Sequence, residues 1–255
     1  MEWRLDKFLT QIPVGTRSQV KDMIKKGRVC VNGVHASKPE LKVDPENDSI
    51  TLDGKKLFYS QYAYYMLNKP AGVITATMDK KKETVLDLLD DKRKDLFPVG
   101  RLDIDTEGLL LITNDGKLAH RLLSPKKHVD KVYYAKVNGI VTEKDVEWFK
   151  RGVDIGDEKL TMPAVLEILS VHKEQKIQEE QWINGEKRAE QPEGDSEILL
   201  TIREGRFHQV KRMFHAAGKE VVYLKRIRFG TLTLDPLLKR GEYRKLTEEE
   251  VKQLC

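Results

Sequence analysis

Gly100-Arg101-Leu102-Asp103-Ile104-Asp105-Thr106-Glu107-Gly108-Leu109-Leu110-Leu111-Ile112-Thr113 is the stretch on which both the fold and the chemistry of this chain turn. Glycines at either end permit sharp backbone turns that residues with a Cβ tolerate poorly. The Leu-Leu-Leu-Ile run reads as a buried strand, so the turn is anchored on a rigid element. An acid on a loop held by such an element is a common way of presenting a reactive group.

The tripeptide Arg-Leu-Asp occurs twice, and only the second copy has flanking glycines. The first, Arg4-Leu5-Asp6, opens a helix in which an acid of the first turn favours the macrodipole. Asp6 therefore reads as structural or as lying beside a binding partner, and Asp103 as chemical. A metal reading of Asp103, Asp105 and Asp115 is rejected because the calcium-loop pattern is missing. Cysteine is too scarce for a thiolate zinc site, and no His-x-x-x-His pair stands out. A paired-carboxylate glycosidase is possible in principle, but no other feature suggests a sugar cleft.

The pattern Gly-Arg-Leu-Asp-x-x-Thr-x-Gly-Leu-Leu-Leu-x-Thr resembles the signature loop of the pseudouridine synthases, and most of all the branch that modifies bacterial ribosomal RNA. The resemblance implies that Asp103 is the catalytic residue, acting as a nucleophile or as a base on a sugar carbon. It implies that Arg101 lies at the substrate and that no metal, nucleotide or redox cofactor takes part. Three further segments match in order. Lys131-Val132-Tyr133-Tyr134-Ala135 brings Tyr133, implied to stack on the flipped uracil and to offer its hydroxyl as a base. Glu204-Gly205-Arg206-Phe207-His208-Gln209-Val210-Lys211-Arg212-Met213-Phe214 implies Arg206, Gln209 and Arg212 at the RNA and Lys211 as the cation beside Asp103. Lys stands there where the family also carries Arg, a point charge in place of a bidentate fork. Tyr223-Leu224-Lys225-Arg226-Ile227-Arg228-Phe229-Gly230 implies that Leu224 walls the uracil pocket. Met66-Leu67-Asn68-Lys69-Pro70-Ala71-Gly72-Val73 matches the turn that opens the family's domain; we read it as scaffold, with Lys69 near the RNA.

Residues 1–58 read as a separate module. Leu5, Phe8 and Leu9 have helical spacing, Pro13-Val14-Gly15 makes a turn, and Thr16 caps a helix from Arg17 to Lys26 that Gly27 ends. Asn32-Gly33 between apolar residues signals a hairpin. Residues 1–38 hold eight Lys/Arg against three acids, a balance suited to a phosphate backbone. The order of these elements resembles the S4 RNA-binding domain, which implies RNA contacts by Arg17, Lys21, Lys25 and Arg28.

Residues 59–255 would form the catalytic domain. Strands alternate with short helices there, at Val85–Leu89 and from Thr142 to Arg151, and pattern alone gives an α+β class. The resemblance adds a mixed, largely antiparallel central sheet. Residues 201–229 carry eight Lys/Arg against two acids, whereas 174–197 is acidic and polar and reads as an exposed loop. Two cysteines, Cys30 and Cys255, speak for a reducing compartment. No apolar run approaches the ~20 residues needed to span a bilayer, and the first residues lack a secretory core. A cytoplasmic monomer acting on ribosomal RNA, within a partly assembled small-subunit particle, is the expectation. Leu123-Ser124-Pro125-Lys126-Lys127-His128 leans toward the small-subunit synthases over the large-subunit ones. The rival is a non-catalytic RNA-binding factor of ribosome assembly.

Overall fold

The computed structural model describes residues 2–12, 14–45, 47–57, 62–91, 93–124, 127–173, 182–183, 186–187 and 194–254. Its contacts divide the chain into two units, Met1–Ala63 with Leu89–Leu96, and Tyr64–Leu88 with Phe97–Cys255.

The first unit runs β1 (Trp3–Arg4), α1 (Leu5–Gln11), α2 (Arg17–Lys25), β2 (Val29–Val31), β3 (Val34–His35), β4 (Lys42–Val43), β5 (Ile50–Leu52) and β6 (Lys55–Lys56). Strands pair in the order β3-β2-β5-β6, with β1 on β4. Leu5, Phe8 and Leu9 fall on one face of α1 and bury with Val20, Ile24, Val29, Val43 and Ile50. Thr16 caps α2, with its own N–H donating back to Gln19 Oε1 at 2.8 Å. The β2–β3 turn is Asn32-Gly33, both with positive φ (51° and 81°), as a tight hairpin requires. Asn32 is held there by Nδ2 donating to Asp48 and by Oδ1 accepting from Ser49 N, each at 2.8 Å.

The second unit runs β7 (Tyr64–Lys69), β8 (Phe97–Pro98), β9 (Glu107–Thr113), α3 (Gly116–Leu123), β10 (Lys131–Asn138), α4 (Glu143–Phe149), β11 (Val165–Lys173), β12 (Trp182–Ile183), β13 (Glu186–Lys187), β14 (Gly194–Ile202), α5 (Gln209–Ala216), β15 (Glu220–Phe229), β16 (Leu232–Thr233), β17 (Tyr243–Lys245) and α6 (Glu248–Leu254). Its sheet has the order β11-β14-β10-β15-β9-β7-β17. Every pairing along it is antiparallel except β15 on β9, so the class is α+β with a mixed, largely antiparallel sheet. All seven residues of β9 are buried, as a continuous apolar run in a central strand should be. Met66, Leu109, Leu111, Leu118, Leu122 and Phe229 form the core under it.

Two expectations change. Val85–Leu89 is not a helix: the segment is a turn, in which Asp87 Oδ2 accepts from both Thr84 N and Thr84 Oγ1 at 2.8 Å. Five residues are too few to offset helix nucleation when a side-chain turn competes. Leu89–Leu96 also groups with the first unit, so a division at residue 58 is too simple. The expected exposed loop at 174–197 lies outside the described residues, apart from the paired backbone of β12 and β13 and the start of β14. Cys255 lies outside them as well.

Candidate active site

The Asp103 loop joins β8 to β9, and its shape is dictated by one buried cation. Lys69, at the end of β7, is fully buried, and its Nζ donates to the carbonyls of Pro70 (3.0 Å), Asp103 (3.1 Å), Ile104 (3.3 Å) and Thr106 (2.9 Å). Burial pulls its pKa down from 10.5 to about 8, against the raising pull of Asp105, Asp103 and Glu107. Four carbonyl oxygens thus replace water around the ammonium and gather the loop about it. Thr75 fixes the other side: its Oγ1 donates to Leu102 O (2.8 Å) and accepts from Leu102 N (3.2 Å). Leu102 itself is buried, so the apolar middle of the tripeptide faces inward while Arg101 is exposed.

Gly108 shows why the second glycine is there. It sits opposite Arg226 in the parallel β9–β15 register with φ 102°, and a Cβ on it would overlap the Arg226 carbonyl oxygen.

Asp103 borders a cleft of about 830 Å³ within the second unit, which is also lined by Tyr133, Leu224, Arg226 and His208. Tyr133 and Leu224 are buried at neighbouring positions of β10 and β15. The sheet thus brings together the acid, the aromatic ring and the leucine expected at the pocket. Lys211 departs from expectation. Its Nζ is bonded to both oxygens of Asp105, at 2.5 and 2.6 Å, not to Asp103. That bond holds the Asp105 carboxyl below its ordinary range, with desolvation opposing. The cation that faces Asp103 when protonated is His208, whose Nε2 lies 3.6 Å from Oδ1. His208 precedes α5 with φ 48°, and its ring stacks on Phe207, centroids 3.8 Å apart. Phe207 is 75% exposed.

Other expected RNA contacts are occupied by the protein. Arg206 donates to Glu204 Oε2 (3.0 Å), Asp157 Oδ2 (3.3 Å), Lys159 O (2.6 Å) and Leu160 O (2.6 Å). Gln209 is buried, with Nε2 on Glu204 Oε1 and Oε1 accepting from Arg206 N. Arg212 reaches Phe207 O, Ile155 O and Asp157. Arg206, just before α5, and Arg212, within it, are thereby tied to the loop at 155–160, while Gln209 is bonded to Glu204 and Arg206. Asp115, the third acid of the metal reading, caps α3 by accepting from Lys117 N and Leu118 N at 3.0 Å. In the first unit Arg17, Lys21 and Lys25 are exposed at four-residue spacing along α2, one helical face. Arg28 is exposed too, and paired to Asp53 at 2.5 Å.

Sequence reasoning underrated Lys69, whose Asn-Lys-Pro context marks a turn but not its four carbonyl partners. It missed Thr75 and His208 outright. It also missed Arg226, although the alternation Leu224-x-Arg226 puts a cation on the inward face of a strand.

An acid on a pinned loop, facing a tyrosine and a leucine on a mixed sheet, is the arrangement of one family of RNA-modifying enzymes. The model of the RNA pseudouridylate synthases matches residues 63–216 and that of the S4 domain residues 3–50, and the chain belongs to this family. It is 44% identical over 250 residues to the RNA pseudouridine synthase YtzG of Bacillus subtilis, covering 97% of this chain and 96% of the relative. It is 41% identical over 251 residues to ribosomal small subunit pseudouridine synthase A of Escherichia coli K12 (97% and 98% covered). To ribosomal large subunit pseudouridine synthase B of B. subtilis it is 38% identical over 252 residues (98% and 95%). A crystal structure of a pseudouridylate synthase superposes with a TM-score of 0.64 at 35% identity, covering 99% of both chains.

Proposed function

We propose that this protein isomerises one uridine of small-subunit ribosomal RNA to pseudouridine, with Asp103 as the reactive carboxylate. The observation that carries the reading is the Lys69-gathered loop, which sets Asp103 at the rim of a cleft walled by Tyr133 and Leu224. The base must leave its stack to reach that cleft, and a flipped uracil can lie against the Tyr133 ring. The N1–C1′ bond then breaks with its electron pair on uracil. Asp103 either bonds C1′ or removes a sugar proton. The uracil turns and C5 bonds C1′, with the Asp103–C1′ bond broken or the sugar proton returned, and the C5 proton leaves to water. No cofactor is needed. Lys211 acts at one remove, fixing Asp105 and through it the loop.

The exposed basic face of α2 (Arg17, Lys21, Lys25) suits a phosphate backbone, and we assign it to RNA capture outside the target nucleotide. Among the described residues no helix is long and apolar enough to cross a membrane. A cytoplasmic monomer acting on a partly assembled small-subunit particle completes the proposal. Small-subunit relatives supply the subunit preference, and a large-subunit relative at 38% identity defines the alternative outcome.

The test is incubation with small- and large-subunit ribosomal RNA, free and in assembly intermediates, each tritiated at uridine C5. Tritium released to water from the small-subunit RNA alone is the expected result. Release from the large-subunit RNA alone would move the substrate, and no release from any RNA or particle would overturn the assignment.

A further inference from the structure

Arg226 is buried where nothing explains its charge. Its side chain is 2% exposed, on β15, directly across the ladder from Tyr133 and in the wall of the Asp103 cleft. Nε donates to Leu109 O at 2.8 Å, which fixes the guanidinium plane. Nη2 is buried with no hydrogen-bond partner. No carboxylate pairs with Arg226 among the described residues. A second cation lines the same cleft: Lys131 is buried, bonded through Nζ to Val129 O. Both groups lie over the Phe229 ring, at 5.0 Å for the guanidinium and 5.7 Å for the ammonium. Burial first, and the Arg226 charge second, lower the Lys131 pKa. Thr106 Oγ1, in the same cleft, is likewise buried without a partner.

Two buried cations and two orphaned polar groups call for an acceptor, because buried donors are nearly always satisfied. A scaffold arginine would be expected to find an acid. Arg206 and Arg212 do so, on Glu204 and Asp157. The acceptor must therefore come from outside, and the depth of the guanidinium selects a flat base edge over a tetrahedral phosphate at the rim.

We propose that Arg226 is a substrate-binding residue that donates a hydrogen bond to a carbonyl oxygen of the target uracil. The inference rests on the uridine-isomerising reading above. When the N1–C1′ bond breaks, the pair stays on the uracil and its charge spreads to O2 and O4. A fixed guanidinium beside one of those oxygens stabilises that charge without transferring a proton and without reorganising. Nη2 is covered in this conformation, so the base enters with a side-chain adjustment. Tyr133, the neighbour across the ladder, is the group placed to make it.

The experiment pairs protein variants with substrate atoms. Wild type, Arg226→Lys and Arg226→Met are given RNA containing uridine, 2-thiouridine or 4-thiouridine at the target, and nucleosides from the digested product are separated by chromatography. Removing the donor should slow single turnover on uridine by about 100-fold, with RNA affinity unchanged and Arg226→Lys between the two. Sulfur accepts hydrogen bonds poorly, so one of the two thio positions should alter the wild-type rate by a factor absent from Arg226→Met. Any intrinsic effect of sulfur on the leaving group cancels in that ratio. If both thio factors are the same in wild type and in both variants, Arg226 does not touch the base and the proposal fails. A structural arginine would lower melting temperature and rate together and show no such coupling. If the wild type makes no product on uridine RNA, the parent reading has failed instead, and the two failures are told apart.

Discussion

The same tripeptide, Arg-Leu-Asp, stands at 4–6 and at 101–103, and the two copies are put to opposite uses. In both the leucine is buried. At the first, Arg4 turns back and clamps Asp6 through Nε (3.0 Å) and Nη2 (2.7 Å), and that bond lowers the Asp6 pKa. At the second, Arg101 is exposed, and Asp103 has its backbone carbonyl on Lys69 and its carboxylate beside His208. The difference is made by backbone, not by the three residues. Asp6 lies inside helix α1, while Asp103 sits in a loop whose carbonyls converge on a buried ammonium. A carboxylate saturated by its own arginine is a structural group; one whose loop is held by other contacts remains open to a substrate.

The largest effect should separate the copies cleanly. Asp103→Asn should lower single-turnover isomerisation by about 10⁴-fold or more, with RNA affinity and melting temperature unchanged. Asp6→Asn should leave turnover intact and lower stability slightly. The Asp6 pKa is depressed on folding, so its contribution is present above its ordinary value of 3.8 and is lost as pH falls below it. Thermal melts of the two variants against pH check this.

Next comes the group that organises the loop. Lys69→Met should cost about 100-fold in turnover, because a loop displaced by about 1 Å misplaces the acid. Wild-type activity should show an alkaline limb near pH 8 as Lys69 loses its proton. The sign for stability is the reverse. The unfolded chain holds that proton up to about 10.5 and the folded one only to about 8, so stability rises with pH between those values through this group. A pH–rate profile beside a pH–melting profile separates the two effects.

Lys211→Ala should be milder, about tenfold in turnover, because its contact with the acid is indirect. The loss of its pair with Asp105, which is 62% exposed, should cost less than about 1 kcal/mol. Smallest are Lys21→Ala and Lys25→Ala on α2, which should leave the rate of bound RNA untouched. Each should reduce the slope of log affinity against log salt by about 1. A salt titration of RNA binding reads it.

What could be seen in the sequence was local. The glycine-bounded turn before a leucine run, the Asn32-Gly33 hairpin, the Thr16 and Thr142 helix starts and the basic face of α2 depend on neighbours a few residues away. The Asp103 loop, Tyr133 and Leu224 stood out for the same reason, each carried by a short motif. The rest depends on register between distant strands. Lys69 meets Asp103 through the β7–β9 pairing, and Arg226 meets Leu109 through the parallel β9–β15 contact across 117 positions. The family resemblance paired Lys211 with Asp103; in the structure its ammonium is bonded to Asp105 instead.

The most direct test puts Asp103→Asn and Asp6→Asn side by side in one single-turnover tritium-release assay on the RNA the wild type modifies, with binding measured on the same samples. The account predicts that both bind like wild type, that Asp6→Asn releases tritium at the wild-type rate, and that Asp103→Asn releases none above background. Tritium release by Asp103→Asn at an undiminished rate would contradict it.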